Sequence, residues 1–279
     1  MSDWRCSPNL TPDQRLEVLD LLNRTEIAIG REAIDEGRRR TVIHGGPGEH
    51  WLSVVDQRVR GYALLYAGEP ASIEMCDGGP DEPLAKEVLA RHGIVDWWIR
   101  DARHEGRGRV VRTLQLLRVA LPIQTTPAFA SGFQTREFDP QRDIGRWLEQ
   151  NNAAFADHPE QGAWSERELR ERIAEPWFDP TGFIVLDAGD RLAASCWTKV
   201  HELHPDRFGE IYVISVHPDF RGRGLGRRMV TEGLDLIRRR GVASAVLFVD
   251  ESNRAAQRLY HSIGFALERE DRLVRFGPD

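Results

Sequence analysis

The chain has 279 residues, enough for one large domain or two ordinary ones with substantial cores, and its 41% apolar and 29% charged residues are a globular composition. No run approaches the length of a membrane span, and a net charge of −6 argues against general nucleic-acid affinity. Cys6, Cys76 and Cys196 are too scattered for a metal site, and the opening Met1-Ser-Asp-Trp-Arg is no signal peptide, so reduced thiols in a cytoplasm and a monomer are expected.

Thr11-Pro12-Asp13 reads as a helix start, and Leu16, Val18, Leu19, Leu21 and Leu22 follow over about three turns. His50 to Val55 and Arg58 to Tyr66 predict two strands around a tight turn at Asp56-Gln57, with Ile73 to Cys76 a third. Leu84 to Glu105 reads as helical with a break near Gly93, Trp97, Trp98 and Ile99 packing inward, and Val110 to Leu121 suits a strand. The second half repeats this order. Thr181 to Asp187 and Arg191 to His201 read as strands around Ala188-Gly189-Asp190, followed by a strand from Ile211, a glycine-rich turn and a helix to Arg240. Ser244 to Asp250 is a further strand, Asn253 to Ser262 a helix, and Ala266 to Phe276 a last strand.

Leu21 to Gly30 is echoed at Leu148 to Asp157, and Ile73–Gly106 matches Ile211–Gly241 in length and order at a similar offset. An internal repeat is the simplest explanation, dividing the chain into 1–130 and 131–279 with Ser131 to Asp139 as the join. Where the second copy has its glycine turn, the first has Asp77-Gly-Gly-Pro-Asp-Glu-Pro83, acidic, with two prolines and no arginine. That segment would repel an anion, so the first copy is expected to have lost its site.

The stretch Ile211 to Arg227 is the most informative. A strand apolar on both faces apart from Ser215 runs through His217-Pro218-Asp219 into glycines at 222, 224 and 226, and then into a helix. Glycines let backbone approach an anion, and the first amides of a helix point at it with the positive end of the dipole. Arg221, Arg223, Arg227 and Arg228 add formal charge. A dinucleotide fold is a rival, with Asp250 placed as its ribose-binding acid, but the glycines run G-x-G-x-G and the preceding strands look hairpin-linked. His201, His204 and His217 lack the spacing of a metal site and are expected to be satisfied or solvated, so no metal is expected. Cys196 has no basic neighbour in sequence to make it a nucleophile.

Two segments together carry a resemblance. Arg221-Gly-Arg-Gly224-Leu-Gly226 matches the R/Q-x-x-G-x-G/A turn of the Gcn5-related N-acetyltransferase superfamily, and Asn253 to Phe265 matches its later N-x-x-A-x-x-L-Y-x-x-x-G-F motif nearly position for position. The resemblance implies an α/β fold with a mixed sheet, in two tandem copies of which the second is catalytic, and acetyl-CoA as co-substrate. It places the pyrophosphate on the amides of Arg221, Gly222, Arg223, Gly224, Leu225, Gly226 and Arg227, and the pantetheine arm beside Ile214, Ser215 and Val216. The helix residues Asn253, Arg254, Ala255, Ala256, Gln257 and Arg258 would complete the cofactor site.

Asn152 to Gly162, Trp197-Thr-Lys199-Val-His201 and Gly209-Glu210-Ile-Tyr-Val213 more closely resemble the mycothiol synthase family, a tandem branch of the superfamily. That family acetylates the cysteine amine of a cysteinyl-glucosaminyl-inositol. The resemblance implies substrate contacts at Glu32, Glu160, Lys199 and Glu210, and at Phe248, where the family usually has a tyrosine and one hydroxyl contact is therefore missing or replaced. Acyl transfer needs a neutral amine, so the resemblance makes Glu210 the base, against the reading of a solvated strand-end acid. Tyr260, seven residues after Asn253 and about 10 Å further along the same helical face, would be the acid that protonates the thiolate, against a packing role. Another small amine, such as an aminoglycoside, and a non-catalytic CoA-binding module remain alternatives.

Overall fold

The computed structural model describes residues 4–76, 81–100, 108–124, 133–156, 163–202 and 207–278. The first half runs β1 (Trp4–Ser7), α1 (Pro12–Ile29), α2 (Glu36–His44), β2 (Glu49–Val55), β3 (Arg58–Tyr66), β4 (Ala71–Met75), α3 (Glu82–His92), β5 (Val95–Arg100) and β6 (Arg109–Ala120). The second half repeats that order as β7 (Gln134–Glu137), α4 (Pro140–Ala154), α5 (Glu166–Ile173), β8 (Phe183–Ala188), β9 (Arg191–His201), β10 (Phe208–Val216), α6 (Leu225–Arg239) and β11 (Ser244–Asp250). It then adds α7 (Arg254–Ile263) before its last strand, β12 (Ala266–Phe276). Connections 77–80, 101–107 and 125–132 lie outside the described residues, as do Glu160 and His204.

Local chemistry accounts for the element ends. Thr11 and Gln14 form a reciprocal capping box on α1, and Ser165 and Glu168 form another on α5. Asp35, Asp139 and Asn253 cap α2, α4 and α7 through their side chains, and Gly264 closes α7 in the left-handed region. Asp56 and Gln57 both have positive φ, so the β2–β3 turn has the handedness a two-residue hairpin requires. Helix α1 is 18 residues long, about two turns beyond the apolar pattern of its first half.

Residues 95–100, expected as the continuation of a helix, are instead strand β5. The run Val95-Asp-Trp-Trp-Ile99 is mostly apolar and short, and period alone does not separate a buried helical turn from a central strand. Parallel pairing with β4 and antiparallel pairing with β12 decide it; Trp97 and Ile99 are buried as the sequence implies, whereas strand alternation turns Trp98 to the other face, where it is half-buried under Arg112.

The twelve strands form one sheet in the order β1-β2-β3-β4-β5-β12-β6-β11-β10-β9-β8-β7. Read from either edge, five successive strands of one half lead to the closing strand of the other. Strand β12 pairs with β5 of the first half, β6 pairs with β11 of the second, and β6 and β12 pair with each other at the centre. The halves have thus exchanged their last strands. Val274 of β12 packs among Trp51, Ile73, Leu84 and Trp97 of the first half, while Leu117 and Val119 of β6 pack with Leu234, Leu247 and Ile263 of the second.

Each half carries a core on both faces of its sheet. In the second half, Trp147, Phe183 and Trp197 pack under α4 and α5, and Met229, Val230, Leu234 and Ile237 of α6 pack on the opposite face. Helix α6 sits close because it has a glycine at the contact. A Cβ on Gly233 would lie 2.5 Å from Cys196 Sγ and 2.9 Å from Ile211 Cδ1. Gly233→Ala should therefore destabilise the fold by about 1–3 kcal/mol through overpacking, read as a lowered midpoint in denaturant; an unchanged midpoint would mean that α6 is not held at this distance.

Candidate active site

The site begins where two parallel strands part. β10 and β11 pair only at Gly209↔Ala245 and Glu210↔Val246. At the next residues the register of β10 with β9 slips between Ile211 and Val213, a bulge centred on Tyr212. Beyond it β10 follows β9 away from β11, leaving a cavity of about 650 Å³ between the strand ends. Ile214, Ser215 and Val216 line one wall and Phe248 the other. Ser215 turns its hydroxyl away from the wedge into a buried network with Ser195 and Gln150, at 3.0 Å to each, which fixes β10 to β9 and α4.

The glycine turn closes one end of this cavity. Gly222 and Gly224 have φ of 76° and 75°, where a side chain is strained. Gly224 is the N-cap of α6 and offers no side chain to it, so the amides of Leu225, Gly226 and Arg227 point outward at the positive end of the helix dipole. Gly222, Gly224, Leu225, Gly226 and Arg221 all line the cavity. The Arg221 guanidinium is tied to the carbonyl of Ala154, 2.9 Å away, and so braces the turn against α4. Arg223 lies over the Phe220 ring, Arg227 bonds Ser262, and Arg228 is held by Glu232 and Thr135.

Helix α7 forms a further wall with Asn253, Ala255, Ala256 and Tyr260. Arg254 bonds Gln257, whose amide reaches inward to Gln115 and the carbonyls of Asp250 and Glu251, and Arg258 is exposed. Tyr260 is 7% exposed, and burial pushes its phenol well above the usual tyrosine range, so it holds its proton throughout the neutral range. Arg112 of β6 also lines the cavity, 2.7 Å from Asp250, so the first half contributes a guanidinium to the second half's pocket through the exchanged strand.

Glu210 occupies the last position of β10 paired with β11 and, by strand alternation, faces away from Ile211 and α6. It is 8% exposed, with Oε2 2.6 Å from His201 Nε2. Lys199 stands opposite it on β9. The Lys199 ammonium is 3.3 Å from Glu36 and 3.7 Å from Glu32, both of the first half, and lies 4.7 Å above the Trp177 ring. Burial works to depress the Lys199 pKa, but Glu32, Glu36 and Glu210 outweigh it and hold the ammonium above its usual value. Arg172 of α5 approaches Glu36 at 3.6 Å over the Tyr212 ring, and burial lowers its pKa.

The cavity and the buried charges lie to either side of the point where β10 leaves β11, with Tyr212 lining the cavity and lying beside Lys199. The glycine turn and Tyr260 lie on the α6/α7 side; Glu210, Lys199 and His201 lie on the α5 side, against α2 of the first half. Glu32 does reach Lys199, but Glu36, which the sequence reading passed over, is nearer and bridges Lys199 to Arg172. Its only local mark is its place just after the α2 cap. His201 is satisfied, as expected, and its partner is Glu210; the same-face alternation of Lys199 and His201 on a strand is the signal that it lies beside Lys199. His217, by contrast, is taken up by Arg191, 2.9 Å away.

Among the described residues of the first half, the equivalent strands stay paired for longer. β4 and β5 remain paired over four positions, from Ala71↔Val95 to Glu74↔Trp98. Glu74, 1% exposed, sits at the last of them, bonded to Arg100 and to the Asp35 amide.

A sheet split beside a bulge, with a glycine turn feeding a helix in the split, defines a Gcn5-related N-acetyltransferase. Residues 146–265 match the model of the acetyltransferase (GNAT) family. Solved structures with the same fold include a Gcn5-related N-acetyltransferase from Sphaerobacter thermophilus (TM-score 0.66, 19% identity, 99% of this chain and 97% of that one). Another is a tandem GNAT protein from the clavulanic acid biosynthesis pathway (TM-score 0.65, 14% identity, 99% of this chain and all of that one, 100%). A mycothiol acetyltransferase from Thermomonospora curvata is 38% identical, covering 98% of this chain and 97% of its own, and one from Thermobispora bispora is 36% identical, covering 95% and 97%. The chain belongs to the mycothiol acetyltransferase family and is an acyltransferase built from two tandem GNAT domains.

If the Lys199–Glu36 contact couples the halves, Lys199→Met and Glu36→Gln should interact by about 1–3 kcal/mol in a double-mutant unfolding cycle. Additive effects would mean the pair contributes no coupling.

Proposed function

We propose that this protein transfers the acetyl group of acetyl-CoA to the cysteine α-amine of 1D-myo-inositol 2-(L-cysteinylamino)-2-deoxy-glucopyranoside, giving mycothiol. The observation that carries the reading is the parting of β10 and β11 at Glu210, which joins an anion-binding turn on one face to a buried carboxylate and ammonium on the other. The names of the full-length relatives support the choice of amine.

In this reading residues 131–279 form the catalytic domain, and residues 1–130 form a non-catalytic domain that shapes the substrate cleft through Glu32 and Glu36. The amides of the 222–227 turn take the pyrophosphate, and the edge of β10 from Val213 to Val216 takes the pantetheine arm as an added strand. Glu210 removes a proton from the substrate ammonium. The neutral amine then attacks the thioester carbonyl, an N–C bond forms as the C–S bond breaks, Tyr260 gives its proton to the departing thiolate, and the second proton shed by the nitrogen as it becomes an amide replaces the one Tyr260 gave. No covalent enzyme intermediate is involved. Burial pushes the Cys196 thiol far above its usual range, which suits a packing role and not a nucleophile. Lys199 and Arg172 present donors to the hydroxyl-rich substrate, whose cysteinyl amine approaches Glu210.

Glu210→Gln should lower kcat by about 10²–10⁴-fold with little change in the KM for acetyl-CoA, and Tyr260→Phe should slow turnover without weakening binding of the amine. Thiol release from acetyl-CoA, measured with the cysteinyl-glucosaminyl-inositol beside an aminoglycoside panel, tests the substrate. Faster turnover of an aminoglycoside would replace the substrate, and full activity in both variants would remove the assigned acid and base.

A further inference from the structure

The arginines of the second half are almost all neutralised. Among the described residues from 133 onwards, each lies at ion-pair distance from a carboxylate, except Arg221, Arg223, Arg227 and Arg258. These exceptions are not scattered: all stand in the glycine turn or on α6 and α7 beside it. Arg221 lines the cavity and is tied to the carbonyl of Ala154, and Arg223 covers the Phe220 ring. Arg227 and Arg258 lie beyond the cavity lining, on α6 and α7. The two helices touch at this point. A Cβ on Gly226 would lie 3.3 Å from Leu259 Cδ2, and the Arg227 guanidinium bonds the Ser262 hydroxyl. Arg258 is exposed and one turn before Ser262, so it shares the face of α7 that Arg227 reaches. Arg254, a further turn back, is 3.7 Å from Glu251. Two arginines four residues apart repel along a helix, and no described carboxylate pairs with Arg258 to offset this. In a chain of net charge −6, so local a surplus of guanidinium points to an anion.

We propose that Arg227 and Arg258 form a second anion subsite, which takes the ribose 3′-phosphate of acetyl-CoA. The proposal rests on the reading of acetyl-CoA as co-substrate and is independent of which amine is acetylated. A co-substrate with its diphosphate on the amides of the 222–227 turn and its pantetheine arm along β10 sends its adenosine outward, past the start of α6. Its 3′-phosphate is then one ribose ring from the diphosphate, which brings it to the junction of α6 and α7. A phosphate monoester carries nearly two negative charges at neutral pH, and guanidinium forks match its oxygens two at a time. One arginine from each helix supplies that match, while the turn amides are left to the diphosphate. The subsite therefore selects acetyl-CoA over its dephospho form, and its unpaired charge draws a polyanion to a protein that would otherwise repel it.

Calorimetric titration of the full chain with CoA and with dephospho-CoA tests this without any amine present. The parent should bind CoA about tenfold or more tightly than dephospho-CoA. Arg258→Gln and Arg227→Gln should each weaken CoA several-fold, by about three- to tenfold, and leave dephospho-CoA within about twofold, so that the preference collapses. In turnover, Arg258→Gln should raise the KM for acetyl-CoA by the same factor with kcat unchanged. A parent that binds the two nucleotides equally, or variants that weaken both alike or keep the parental preference, would overturn the subsite. Equal binding of both nucleotides removes the subsite alone, whereas a parent that binds neither removes the acetyl-CoA reading with it.

Discussion

The function of this chain depends on two parallel strands that cease to pair. β10 and β11 share only two residue pairs before the bulge at Tyr212 turns β10 aside. A pair of strands left unsatisfied at the centre of a sheet is costly, because each amide and carbonyl facing the gap has lost its neighbour. The gap is tolerable when it is wet or filled, and its other features suit filling. Ser215 anchors the diverging strand from behind, the glycine turn presents helix amides at its mouth, and Glu210 sits at the point of separation. In the first half, β4 and β5 pair for twice as many positions and a buried, ion-paired Glu74 occupies the end. The longer pairing there goes with the acidic, proline-containing sequence from Asp77 to Pro83, so the two copies differ in strand pairing and in charge together.

The exchange of closing strands explains how the first half comes to belong to the second half's site. Because β6 lies beside β11, β12 beside β5, and β6 and β12 beside each other, the halves cannot separate without breaking three strand pairings at the centre of the sheet. That rigidity lets α2 of the first half deliver Glu32 and Glu36 to Lys199 of the second, and lets Arg112 of β6 reach the wall of the cavity. A buried cation meeting two carboxylates and an aromatic ring is weak evidence for stability, since desolvation offsets much of the attraction. Its value is in fixing one geometry across the junction.

Much of the second half was legible because its signals are local. The glycines at 222 and 224 occur where φ is positive, Asn253 and Gly264 cap α7 where the motif places them, and β9, β11 and β12 have the bounds that alternation and turn residues imply. The first half was less legible. Residues 95–100 are a short, mostly apolar run, so their pattern fits a strand or a helix until their neighbours are known. The exchanged strands left no mark in sequence, because which strand lies beside β5 is decided by partners more than 160 residues away, as in Val95↔Phe276. The substrate-side residues were hidden for the same reason. Glu36 and Arg172 are ordinary helix-surface charges until α2 and α5 meet over Lys199, and His201 looked like any strand-end histidine until Glu210 was seen against it.

Amide hydrogen exchange with and without acetyl-CoA tests the central claim most directly. The account predicts new protection in Val213–Val216 of β10 and in the 222–227 turn, with β4 and the start of α3 unchanged. Protection that appears equally at β4, or that leaves β10 and its turn exchanging as before, would contradict it.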